Sequence, residues 1–173
     1  VLRYAGNGAL VPRKRLEMTA SRAVYKFLLR GFGAGLLPVA PGTWGAAAAV
    51  LLAWPLARWA PDAFYLILCL LIPASAWIGA RGSALLRDEW GEDPGQTVLD
   101  EMTGQWIALL WLPFEWPCWL VAFFLFRFFD IFKPLGIRRL EKVGGGWGVV
   151  LDDMLAGLYA NVVVQVFLAL NLS

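Results

Sequence analysis

Residues 106–134 read WIALLWLPFEWPCWLVAFFLFRFFDIFKP, and the fold turns on whether this stretch is one element or two. The apolar run from Trp106 to Phe129 is long enough for one membrane span of roughly 20 residues, but Pro113, Glu115 and Pro117 sit in its middle. A helix interior rejects proline, because the ring removes a hydrogen bond and collides with the carbonyl of the preceding turn. If the stretch crossed as one helix, the loop carrying Arg127, Lys133, Arg138, Arg139 and Lys142 would fall opposite the basic N-terminal segment, against the bias of cationic loops to one side. Folding back near Pro113 to Pro117 keeps those cations together and brings residues 100 and 130 to one face. A re-entrant helical hairpin is therefore expected. Its turn must be shielded by other helices, since non-helical backbone at membrane depth has no water to bond.

Working outward, the rest of the chain supports an all-α integral membrane protein with about three to four transmembrane helices. Of 173 residues, 60% are hydrophobic, ten are tryptophan and only 16% are charged, where an average soluble domain has about 25% charged. The apolar segments are long runs without the alternation of a membrane barrel. Ala46 to Ala60, interrupted by Arg58 and carrying Pro55, is a marginal span; Ala63 to Ala80 and Met154 to Leu172 are better ones. The polar stretch from Arg81 to Gln96 reads as extramembrane. SRAVYKFLLR, residues 21–30, has apolar positions at helical spacing with cations opposite, the pattern of a helix lying in the interface. Residues 1–20 are polar and basic and are assigned no regular structure; residues 21–173 form one membrane-embedded domain. Arg13, Lys14, Arg15, Arg22, Lys26 and Arg30, with Glu17 the one acid among them, place the N-terminus in the cytoplasm. Cys69 and Cys118 read as buried packing residues, and no secretory leader is visible before the first apolar run.

Into this apolar chain are set three tight acid clusters: Asp100 with Glu101, Asp130 between Arg127 and Lys133, and Asp152 with Asp153. Oxygen ligands without histidine or a thiolate cluster suit a hard divalent cation, above all Mg2+, which commonly bridges carboxylates to phosphate oxygens. For each adjacent pair the plainer reading is stabilisation of a helix N-terminus, worth about 0.3–1 kcal/mol. Arg127, Asp130 and Lys133 fall at steps of three and share one side of a helix, so a guanidinium and an ammonium suited to phosphate flank an acid. The alternative there is an intrahelical ion pair with both cations reaching for the interface. The glycine-rich GFGAGLLPVAPGTWG, residues 31–45, reads as a loop whose backbone can approach a phosphate at Gly42 and Thr43. It lacks the Gly-Lys-Ser/Thr ending of a P-loop.

Four blocks in order, GFGAGLLPVAPGTWG, LDEMTGQW, FRFFDIFKP and GGGWGVVLDDMLAG, resemble the bacterial phosphatidylglycerophosphatase A family over about residues 31–160. Gly136 stands where a second proline is common in that pattern, and Ala46 where a small hydroxyl residue is common. The resemblance implies a bacterial inner-membrane enzyme, its site facing the cytoplasm, that uses Mg2+ to remove the terminal phosphate of phosphatidylglycerophosphate. It implies Asp100, Asp130, Asp152 and Asp153 as catalytic residues; Asp100, Glu101, Asp130, Asp152 and Asp153 as metal ligands; and Arg127, Lys133, Gly42 and Thr43 as substrate-binding residues. The partners would be the phospholipid and the bilayer, not nucleic acid. Attack by a metal-activated water and attack by an aspartate need the same residues. Two other classes compete. A cation-binding or transport protein would place acids within its spans, whereas here they stand at segment ends; a phosphatidyl-group transferase would carry an Asp-Gly-x-x-Ala-Arg pattern, which is absent.

Overall fold

Prolines and glycines cut the apolar sequence into helices. The computed structural model describes residues 2–4, 10–91 and 95–171. A short antiparallel ribbon, β1 (Leu2–Tyr4) with β2 (Leu10–Pro12), leads into α1 (Arg13–Leu29). A 3-10 turn (Gly31–Leu36) is followed by α2 (Pro41–Trp59), α3 (Pro61–Trp90), α4 (Leu99–Ala108), α5 (Trp116–Phe132), α6 (Ile137–Leu140) and α7 (Trp147–Asn171). Helices α2, α3 and α5 each begin with a proline in the first turn, where its missing N–H is no loss and its fixed φ favours the helix. Two helices, α3 and α7, are long and apolar enough to cross a membrane. Large apolar side chains, among them Leu51, Leu66, Leu70, Phe124, Phe128 and Phe167, cover the outside, as expected of a bundle surrounded by lipid.

The central packing is the pair α4 and α7, which run parallel with a constant offset of 53 residues. A Cβ built on Gly157 would lie 2.1 Å from the Gly104 carbonyl oxygen, and one on Gly104 would lie 2.5 Å from the Asp153 carbonyl oxygen. The two backbones touch, which only glycine permits. One turn toward the N-terminal ends of this contact stand Asp100 and Asp153; one turn the other way, Asn161 Nδ2 donates to the Ala108 carbonyl at 3.2 Å. The glycine contact thus sets which acids meet. Helix α5 returns antiparallel beside them, with Phe126 against Gly104. Helix α3 also runs antiparallel to α4, joined to it by the Thr103 to Ser75 hydroxyl bond at 2.8 Å.

The segment 109–115 turns the chain between α4 and α5, and the carbonyls of Leu110, Trp111 and Leu112 accept no backbone N–H among the described residues. Side chains from three helices supply donors. Asn161 Nδ2 reaches Leu110 at 2.7 Å, Gln165 Nε2 reaches Leu110 and Trp111 at 3.3 Å, Tyr65 Oη reaches Leu112 at 2.6 Å and Trp119 Nε1 reaches Pro113 at 2.9 Å. Trp54 stacks on Trp116 with ring centres 4.0 Å apart and sealed from one side by Trp119. The tip therefore packs at the end of the bundle that carries the α2–α3 junction, opposite residues 100 and 130.

Several boundaries differ from the sequence reading. The chain turns between α4 and α5, and these two helices are unequal, with 10 and 17 residues. Helix α4 begins at Leu99, seven residues before the apolar run, because Leu99, Met102 and Trp106 already form a buried stripe. Pro41 to Gly45 is the first turn of α2, not loop, and α2 continues through Pro55 to Trp59. Helix α3 runs on to Trp90, well into the polar stretch from Arg81: loss of apolarity does not end a helix of good formers, and Gly91, with φ +89°, does. Helix α1 extends to Arg13, inside the segment assigned no regular structure; residues 1 and 5–9 of that segment lie outside the described residues. The ribbon β1–β2 departs from an all-α fold. Cys69, expected to be buried, is exposed on α3 beside Leu66 and Leu70, while Cys118 is half-buried.

Candidate active site

A cavity of about 630 Å3 opens where the first turns of α2 and α4, the end of α5 and the start of α7 converge. Its wall carries six carboxylates, Asp100, Glu101, Asp130, Glu141, Asp152 and Asp153, against two cations, Arg127 and Lys133. Asp100, Glu101 and Asp153 each direct an oxygen to a common place, the three atoms lying within 4.8 Å of one another. Glu101 Oε2 is buried and has no hydrogen-bond partner. An all-oxygen donor set of this size, with an orphaned carboxylate oxygen, fits a hard divalent cation. Gly42 closes the floor: a Cβ there would sit 2.2 Å from Glu101 Oε1 and 3.2 Å from Arg127 Nη1.

The other two acids of the sequence clusters are held by cations. Arg127 Nη1 lies 2.5 Å from Asp130 Oδ2, a close ion contact off the hydrogen-bond line, and Arg127 Nε has no partner. Lys133, at the C-cap of α5 with φ +46°, reaches both Asp152 Oδ2 and Glu141 Oε1 at 2.6 Å. Burial alone would lower the Lys133 ammonium; its bonds to Asp152 and Glu141 outweigh that and hold it above the usual lysine value. Burial, with the charges of Asp100 and Asp130, pushes the Glu101 carboxyl well above the usual carboxylate range. Helix α4, at 10 residues or about 15 Å, is too short to cross a bilayer, so Glu101 stands at the mouth of the bundle.

Of the residues expected from the sequence, Gly42, Asp100, Glu101, Arg127, Asp130, Lys133, Asp152 and Asp153 all line this cavity. Thr43 does not; its amide donates to the Ala40 carbonyl at 2.9 Å, within the start of α2. Asp152 and Asp153 lie five and six residues inside α7, whose first turn holds no acid, so they do not cap it. Asp100 and Glu101 are in the first turn of α4, but Asp100 is buried and Glu101 half-buried in the cavity wall. Glu141 and Thr97 were missed. Glu141 stands among the cations of the loop Arg138 to Lys142, and its tie to Lys133 shows only in the structure. Thr97, with a buried hydroxyl that has no partner, gave no signal in a polar segment.

Residues 27–168 match the family described as phosphatidylglycerophosphatase A. A Haemophilus influenzae protein named phosphatidylglycerophosphatase A is 41% identical over 78% of this chain and 82% of its own length. An Escherichia coli protein of the same name is 35% identical over 86% of this chain and 84% of its own. A Bacteroides thetaiotaomicron protein, provisionally named a phosphatidylinositol-3-phosphatase, is 42% identical over 79% of this chain and 88% of its own. No solved structure matches the chain. The chain belongs to the phosphatidylglycerophosphatase A family.

Proposed function

We propose that this chain, a lipid phosphatase by family, hydrolyses the terminal phosphate of phosphatidylglycerophosphate to leave phosphatidylglycerol, and that it requires Mg2+ to do so. The observation that carries the metal requirement is the charge of the cavity: six carboxylates face two cations. A phosphomonoester with nearly two negative charges would be repelled from such a wall unless a divalent cation stood between them. Asp100, Glu101 and Asp153 would hold that ion. When bound, it supplies Lewis-acid polarisation of a phosphoryl oxygen.

The chain's own groups do the rest. Arg127, which lines the cavity and whose buried Nε has no hydrogen-bond partner, donates to equatorial phosphoryl oxygens as charge develops on them. Asp130 fixes the guanidinium and Lys133 fixes Asp152, so neither cation has to be ordered at the moment of reaction. Gly42 brings the first turn of α2 against Glu101 and leaves room for the headgroup.

The α4–α5 hairpin enters and leaves at the cavity end, with its tip carbonyls bonded by Asn161, Gln165, Tyr65 and Trp119. The basic residues Lys26, Arg30, Arg127, Lys133, Arg138, Arg139 and Lys142 belong to the cavity end, Arg58 to the other. This supports a bacterial inner-membrane protein whose cavity faces the cytoplasm. Cysteines introduced at Gly95 and Leu135 should react with an impermeant reagent from the same side; labelling from opposite sides would refute the hairpin topology.

The test of function is phosphate release in detergent from phosphatidylglycerophosphate, with and without Mg2+, for the parent, Asp100→Asn and Asp153→Asn. Release that depends on Mg2+ and is lost in both variants is the expected result; release that persists in chelator sinks the metal reading. Phosphatidylinositol 3-phosphate belongs in the same assay, because the Bacteroides thetaiotaomicron relative bears that substrate in its provisional name. Preference for it would replace the substrate and leave the chemistry in place.

A further inference from the structure

Beside the acid cavity, on the far side of Glu141, lies a second and smaller cavity of about 220 Å3 between α3 and the loop leading into α7. Its chemistry is the reverse of its neighbour's. Gly145 and Gly146 have φ of +76° and +84°, a left-handed pair that curls the backbone directly before Trp147, the first residue of the 25-residue helix α7. The loop is pressed onto α3 so closely that a Cβ on Gly146 would lie 2.2 Å from the Ala80 carbonyl oxygen. The first amides of a helix have no intrahelical acceptor and carry its positive end. Concave backbone of this kind binds anions.

A second observation is independent of the helix terminus. Ser83, on α3, lines the cavity, is 6% exposed and has a buried hydroxyl with no hydrogen-bond partner. A buried hydroxyl left unbonded is costly, and most such groups have a partner. Lys142 brings an ammonium to the same wall. Among the described residues Glu141 is the one acid there, and its carboxylate is already bonded to Lys133 at 2.6 Å. At a liquid-water share of about 30 Å3 each, the space holds roughly seven waters, enough for a tetrahedral oxyanion with part of its hydration and too little for the body of a lipid.

We propose that this cavity is a second phosphate-binding site, in which Ser83, Lys142 and the amides at the start of α7, except that of Gly148, which donates to the Val143 carbonyl at 3.1 Å, hold one phosphate group while the acid cavity holds another. Two sources present that chemistry next to a lipid phosphatase: the phosphodiester of the same substrate molecule, and the inorganic phosphate released by the reaction. The assignment of those sources rests on the phosphatase reading; the site itself does not.

The test uses the full chain in detergent, as parent, Ser83→Ala and Lys142→Gln. Inorganic phosphate binding is first measured by calorimetry in chelator, where the metal-free acid cavity repels anions. Loss of a buried hydroxyl or an ammonium donor should weaken binding about tenfold. The KM for phosphatidylglycerophosphate and its inhibition by phosphate follow. A KM raised about tenfold in both variants assigns the site to the phosphodiester. Relief of phosphate inhibition with KM held within about twofold assigns it to the released product. Phosphate binding that is absent from the parent, or the same in all three proteins, overturns the proposal. Binding that is lost in the variants of a parent that hydrolyses no phosphatidylglycerophosphate keeps this site and refutes the substrate reading instead.

Discussion

Asn161→Leu tests whether the parallel register of α4 and α7 is held by side-chain donors at the hairpin tip. Leucine keeps the branching of asparagine at Cγ and supplies no donor. In the parent, Asn161 is 8% exposed and its Nδ2 serves the Ala108 carbonyl at 3.2 Å and the Leu110 carbonyl at 2.7 Å, while Leu110 also has Gln165 at 3.3 Å. The substitution therefore strips Ala108 of its side-chain donor and weakens Leu110 without orphaning it. Stranding a buried acceptor costs ~1–3 kcal/mol, and a single hydrogen bond in a membrane interior averages ~0.6 kcal/mol. A loss of about 2–3 kcal/mol is expected. The assay is reversible unfolding in mixed detergent micelles, run as a double-mutant cycle with Gln165→Leu. Because both side chains share Leu110, the double variant should be worse than additive by ~0.5 kcal/mol or more. Destabilisation of Asn161→Leu below ~0.5 kcal/mol, or a strictly additive cycle, would refute the claim that these side chains hold the tip.

Gly157→Ala places a methyl against the Gly104 carbonyl and should cost ~1–3 kcal/mol by overpacking; phosphate release should fall at least tenfold at temperatures where thermal melts show the variant folded. Gly42→Ala collides with Glu101 instead, so turnover should drop by a similar factor while the melting temperature stays within a few degrees of the parent. Mg2+ at 100 times its dissociation constant should stabilise the parent by ~2.7 kcal/mol in the same unfolding assay, and Asp153→Asn should abolish that increment. Arg127→Lys keeps the charge but loses the planar fork; kcat/KM should fall about tenfold, and an unchanged value would remove Arg127 from phosphate contact.

The acids of the site were legible in the sequence because charge is conspicuous in an apolar chain: all five residues of the three clusters line one cavity. The turn between α4 and α5 was legible for the same kind of reason, since Pro113, Glu115 and Pro117 have few places to go inside a helix. What hid was everything whose signal depends on a neighbour far away in sequence. Asn161 and Gln165 looked like dips in the hydropathy of a terminal span, and only the broken end of α4 beside them shows why they are there. Tyr65 looked like an ordinary aromatic until its hydroxyl met Leu112. The start of α7 was misplaced because GGGWG reads as flexible, whereas Gly148 is helical and packs against the Glu141 and Val143 carbonyls. That error of seven residues, from Met154 to Trp147, mattered: it made Asp152 and Asp153 look like possible caps when they are interior to the helix.

The placement of those two aspartates explains why glycine recurs at Gly104 and Gly157. Carboxylates buried one turn above a helix contact repel one another strongly in a poorly solvated wall, and that repulsion would push α4 and α7 apart. Larger side chains at the contact would yield to it by widening the gap and spreading the oxygens of Asp100, Glu101 and Asp153 beyond the 4.8 Å over which they now converge. Backbone pressed on backbone cannot be widened without opening a void along the helix pair, and the donors of Asn161 and Gln165 brace the same pair one and two turns further on. The glycines and the amides thus work against the acids, and a divalent cation held as proposed by Asp100, Glu101 and Asp153 would relieve the repulsion they contain. On the Mg2+ reading proposed above, the protein should be least stable in chelator, with the loss greatest at the α4–α7 contact, so that hydrogen exchange there rises first around Gly104 and Gly157. Uniform exchange along all helices on metal removal would mean that the contact does not carry the strain.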